Sequence, residues 1–176
     1  MSSAAQNLFQ FENRFATIKT AALKKHGQRE ARNVTLVMRL EAESISPAAL
    51  SIPMCSTPED VERSLWAYEE LSEGVERKNV NRRFLGMTHV VSEATFTERH
   101  KIRIADLPEQ RVHLVEKIAI EPVDGMVATV VMVVVIHDPT PQFLSELGEY
   151  LRDPIIITLT ADAELPFPDV KTTRGD

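Results

Sequence analysis

Glycine is scarce in this chain. Six glycines among 176 residues leave no G-x-G-x-x-G turn for a dinucleotide and no G-x-x-x-x-G-K-[ST] loop to cradle phosphates. They leave no Gly-x-Ser-x-Gly elbow to raise a nucleophilic serine either. Cysteine occurs once, as Cys55. A lone cysteine excludes an intramolecular disulfide framework and fits a reducing cytoplasm, and with no matching His or Asn signature Cys55 reads as an unremarkable thiol. The N-terminus lacks a charged-then-apolar leader, so secretion is not expected. Five histidines are scattered through the chain without a zincin pair or a Cys/His cluster. No cofactor and no metal are implied.

Long apolar runs are missing as well. The longest, Val127–Ile136, contains six valines and is half the ~20 residues a membrane-spanning helix needs. β-branched side chains favour a pleated surface, and His137-Asp138-Pro139 closes the run, so it reads as a strand. Its even and odd positions are both apolar, which predicts a central strand covered on both faces. Arg111–Glu121 alternates before it, and Pro122-Val123-Asp124-Gly125 turns the chain between them, giving a hairpin.

Elsewhere the periodicities differ. Leu8, Phe11, Phe15, Ile18 and Ala22 recur at spacings of three and four, predicting a helix over about residues 3–26 capped by Gly27. Asn33–Glu43 alternates strictly, as a strand with one buried face does. Ser44–Ser56, with two prolines and no period, reads as a loop. Thr57-Pro58-Glu59-Asp60 is a helix start, with Val61, Leu65, Tyr68 and Leu71 inward and Gly74 as the stop; Trp66 lies beside that stripe. Phe84–Thr97 and Lys101–Ile104 look like strands of a meander. Asp138 or Thr140 caps a further helix with Phe143, Leu144, Leu147 and Leu151 inward, Pro154 stops it, and Ile155–Thr160 is a short strand. The fold class is therefore α+β: a single domain over residues 1–161 with a mostly antiparallel sheet of five to seven strands and about three packing helices. Residues 162–176 read as a loose tail.

Charge is distributed in blocks. The net charge of −6 argues against a general cationic coat. Residues 77–103, however, carry seven basic and two acidic side chains, whereas residues 34–76 carry two and nine. Arg77, Lys78, Arg82 and Arg83, followed by Arg99, Lys101 and Arg103, flank the expected meander and could meet phosphates if folded back together. The alternative is a solvated patchwork. Single-strand binders add stacking aromatics; of the ten aromatics, Phe84 and Phe96 stand nearest these clusters. For catalysis, the nearest local pairs are His89 with Glu93, His113 with Glu116, and His137 with Asp138. The first is spread along one strand face and the second points to opposite faces. The third reads as a strand end followed by a helix cap.

Two likenesses add context. Asp162-Ala163-Glu164-Leu165-Pro166-Phe167 resembles the acidic tip with which bacterial single-strand DNA-binding proteins recruit partners, so Glu164, Leu165, Pro166 and Phe167 are candidate partner contacts. In those tips the phenylalanine ends the chain, and here nine residues follow it. Arg39-Leu40-Glu41-Ala42-Glu43, Val115–Pro122 and the unit ending Ile157-Thr158-Leu159-Thr160 resemble a family of small uncharacterised proteins of tailed phages and prophages, encoded near recombination or replication genes. That resemblance implies a phage accessory role in the host cytoplasm and brings no functional residues with it. The favoured expectation is a non-enzymatic binding protein acting in DNA metabolism, with nucleic acid or a DNA-processing protein as partner, no membrane, and the N-terminal helix available to pair chains. The alternatives are an inhibitor that binds a host defence protein through its acidic blocks and an enzyme with a dispersed acid/base site.

Overall fold

In the computed structural model, which describes residues 9–25, 32–69, 78–81, 90–92, 94–123, 127–161 and 169–170, the long strands close on themselves. They are β1 (Phe11–Lys25), β2 (Arg32–Ser44), β6 (Ala94–Ile104), β7 (Gln110–Val123), β8 (Val127–His137) and β9 (Pro154–Ala161). Around the ring the order is β1, β2, β8, β7, β6, β9, with β9 returning to β1. Every neighbour is antiparallel. The short β5 (Val90–Val91) adds to β7, and β10 (Asp169–Val170) adds to β6 within the stretch read as a tail. A separate ribbon pairs β3 (Trp66–Glu69) with β4 (Lys78–Asn81). The chain is an α+β domain built on one antiparallel sheet, and closure leaves the six long strands without a continuous free edge.

Alternation places the core inside the ring. Val34, Leu36, Met38 and Leu40 of β2 point inward, opposite Val130, Met132, Val134 and Ile136 of β8, and all are buried. Val112, Val115, Ile118, Ile120, Ile102, Ile104, Ile157 and Leu159, with Ala16 and Ile18 of β1, continue the lining. A six-stranded ring is narrow enough for side chains alone to fill it. The odd positions Val131, Val133 and Val135 are only half-buried. They lie on the outer wall beside Arg39, Val37 and Thr35 of β2. The expectation that both faces of β8 are covered is therefore corrected: ring closure buries one face, and the helices sit at the ends rather than over the wall. The ring encloses an apolar interior, its outer wall mixes charged and apolar side chains, and among the described residues no helix is long and apolar enough to cross a membrane.

Two helices serve one end. α1 (Pro47–Met54) starts at Ser46, whose side chain accepts from Ala49 N at 3.2 Å, and ends at Cys55 in the left-handed conformation. α2 (Pro58–Leu65) starts at Thr57, which accepts from Asp60 N at 3.2 Å, with Glu59 and Asp60 favoured in its first turn. Leu50, Val61, Leu65 and Trp66 are buried there, and Trp66 Nε1 donates to Val123 O. At the other end, Thr140 caps α3 (Pro141–Leu147), a 3-10 turn Gly148–Tyr150 continues it, and Phe143 and Leu147 are buried.

Three sequence expectations are corrected here. Phe11–Lys25 is a strand rather than part of an N-terminal helix. Bulges between Phe11 and Arg14 and between Ile18 and Thr20 shift its parity, so an interrupted period of two imitates spacings of three and four. Because β2 and β9 occupy both its edges, the proposed pairing of chains through a helix loses its basis. Ser44–Ser56 contains α1; its apolar side chains surround the axis, and without a polar face there is no period to detect. Finally, α2 stops at Leu65, and the chain turns into β3 eight residues sooner than expected.

Candidate nucleic-acid interface

β6 alternates between core and solvent. Ile102 and Ile104 enter the barrel, so Lys101 and Arg103 must project from its outer wall, where both are exposed. Arg99 shares their parity and is half-buried. Lys101 stands directly opposite Arg111 of β7, which is exposed as well. On the other flank, Lys101 and Arg103 oppose Thr160 and Thr158 of β9. Among the described residues neither Lys101, Arg103 nor Arg111 makes an ion pair. Opposed like charges destabilise a ladder by a few tenths of a kcal/mol or more, so this concentration of positive charge costs the fold a little.

The same wall continues onto apolar ground. Phe15 of β1 is paired with Ile156 of β9, and these are 51% and 45% exposed. Standard strand spacings put Phe15 about 12 Å from Arg103, across β9. Asn13 holds the neighbouring position: its backbone N–H donates to Thr158 Oγ1 at 3.1 Å. A large exposed aromatic beside cations is the combination a stacking platform uses.

No protein-family model, curated protein or solved structure matches the chain.

Of the residues singled out from sequence, Lys101 and Arg103 share this wall and Arg99 borders it. Lys78 begins β4, opposite Glu69 in the separate ribbon. Arg77, Arg82, Arg83 and Phe84 lie outside the described residues, as do Glu164, Leu165, Pro166 and Phe167 of the tail motif. Phe96 offers no exposed face to a base. It is 4% exposed and stacks on Phe9 at 5.3 Å, with His100 edge-on; His100 Nε2 in turn donates to Phe9 O at 2.8 Å. Sequence reasoning missed Arg111 and Phe15. Arg111 could have been found as an outward position of an alternating strand, but nothing local pairs it with Lys101.

Toward β2, the wall meets acidic side chains. Arg14 is tied to Glu43 at 3.2 Å, and Thr17 Oγ1 donates to Glu41 at 2.8 Å, so that side of β1 meets acids on β2. Among the described residues, no group of three or more His, Cys, Asp or Glu is placed to hold a metal. One groove of about 520 Å³ lies between the β1–β2 end and α3, lined by Leu23, Val34, Leu144 and Leu147, with Arg32 its one charged residue. A second of similar size, beside the start of α1, holds Glu12 and Arg14. Neither gathers the titratable side chains that acid/base chemistry requires.

Proposed function

We propose that this protein is a non-enzymatic accessory factor of DNA metabolism that binds single-stranded nucleic acid on the wall formed by β1, β9, β6 and β7. The observation that carries this reading is the unpaired cationic set Lys101, Arg103 and Arg111, with Lys101 and Arg111 directly opposed. A fold that accepts like charges face to face gains when a phosphate settles between them. Phe15, exposed at the edge of the same wall, supplies a face for a base. A single strand suits these parts better than a duplex, because only an unpaired base can lie flat on an aromatic ring. The resemblance of Val115–Pro122 and the strand ending Thr160 to tailed-phage proteins encoded near replication genes is consistent with this setting.

The test is fluorescence anisotropy of a labelled single-stranded oligonucleotide over a range of salt concentrations. Three cation contacts predict a slope of log K against log salt of about −2, since each contact to a single strand contributes roughly −0.7. The Lys101→Ala/Arg111→Ala variant flattens that slope by about 1.4. Phe15→Ala lowers affinity by about 1–3 kcal/mol while leaving the slope unchanged. Binding that ignores salt, or that survives the double substitution intact, contradicts the proposal.

A further inference from the structure

Two histidines on adjacent strands meet on the outer wall. His113 of β7 and His137 of β8 have ring centroids 5.9 Å apart. His113 Nδ1 lies 3.3 Å from Glu98 Oε1 on β6, and His137 Nδ1 lies 2.8 Å from Asn33 Oδ1 on β2. Since the strands run in the order β2, β8, β7, β6, the four side chains form one row: Asn33, His137, His113, Glu98. An ionised carboxylate and an amide oxygen can only accept, so each Nδ1 carries the proton and donates it. In the tautomer that makes these contacts the lone pair is on Nε2. The two nitrogens of an imidazole point in nearly opposite directions. With both Nδ1 atoms tied outboard, toward β6 and β2, each Nε2 is left on the side of its ring away from that partner.

Oxygen partners on the outboard nitrogen are how proteins fix the tautomer of a metal-binding histidine and raise its basicity. We propose that His113 and His137 bind one divalent transition ion of the zinc, nickel and copper class through their Nε2 atoms, with Glu98 and Asn33 as positioning residues. The spacing agrees. With a metal–nitrogen bond of about 2.0–2.1 Å, each ring centroid sits about 3.2 Å from the ion, so two rings sharing an ion stand about 5.2 Å apart at a tetrahedral angle and about 6.4 Å apart at the linear limit. The observed 5.9 Å falls between them. Imidazole nitrogen suits this class of ion, whereas calcium and magnesium prefer oxygen. No third protein ligand joins the pair among the described residues, so the remaining coordination positions go to water or an incoming ligand. The site is open and exchangeable rather than structural. It stands independently of nucleic-acid binding, since neither histidine belongs to the proposed cationic set.

Titration calorimetry of zinc chloride, and separately nickel chloride, into the metal-free full chain in a non-coordinating buffer tests this. The expected result is one ion bound per chain through these two side chains. Glu98→Gln weakens binding by about tenfold, and His113→Ala or His137→Ala by more. Imidazole nitrogen NMR of the unsubstituted protein adds a readout that does not depend on how the variants fold. Zinc should displace the Nε2 resonances of His113 and His137 and leave their Nδ1 atoms protonated. Wild-type affinity in both histidine variants, absence of binding, or unmoved Nε2 resonances would each overturn the proposal.

Discussion

Lys101 and Arg111 occupy a position in the β6–β7 ladder where an acid opposite a base would serve stability better. Asp106 shows the more usual arrangement. It accepts from the Tyr150 hydroxyl, joining the turn after β6 to the 3-10 turn after α3. That hydrogen bond lowers the Asp106 pKa below its ordinary 3.8 and raises that of Tyr150 above its ordinary 10.0. Both shifts favour the folded state over the same interval, with carboxylate and phenol each in the form the bond needs. The contribution is full between the two ordinary values. It is lost as pH falls through the depressed Asp106 value or rises through the elevated Tyr150 value. Denaturant melts of Tyr150→Phe across pH should therefore show a deficit relative to wild type near neutrality that vanishes at both extremes. A deficit independent of pH would contradict the assignment.

At the scale of elements, the barrel closes through bulges. Asn13, Glu98 and Lys117 have φ of 50°, 53° and 53°, and each falls within a register shift of β1, β6 or β7. The extra residue at each point bends its strand and increases the local twist. β8 tests which face the closure buries. Met132→Ala, inside the barrel, should cost about 2–5 kcal/mol. Val133→Ala, on the half-buried outer wall, should cost well under half as much. Equal losses in a denaturant titration would mean that both faces of β8 are packed.

The same elements explain how much the sequence could reveal. β2 and β8 were readable because a period of two and a run of valines have few other physical interpretations, and β7 because its segments keep alternating on either side of its two bulges. β1 was not, because its two bulges disrupt that period and the remaining apolar spacings mimic a helix. α1 was hidden by having no polar side. Of the candidate site, Lys101 and Arg103 follow from their alternation with Ile102 and Ile104. Arg111 opposite Lys101, Phe15 beside Ile156, Glu98 against His113 and Asn33 against His137 are contacts between strands. The last two partners are 15 and 104 positions apart in the chain, and local spacing carries no trace of them.

Across the whole molecule, a net charge of −6 is compatible with a local cationic set on one side of the ring. Glu41 and Glu43 stand on β2, and Lys101, Arg103 and Arg111 stand on β6 and β7, away from them around the ring. Long-range attraction to a polyanion is consequently weak, and binding depends on the local wall and on low to moderate salt. Amide chemical-shift mapping with a single-stranded oligonucleotide tests that claim most directly. The wall predicts shifts concentrated at Phe15, Arg103, Lys101, Arg111 and Ile156, with Thr35, Val37 and Val133 undisturbed. Shifts confined to β2 and β8, or no shifts at low salt, would contradict it.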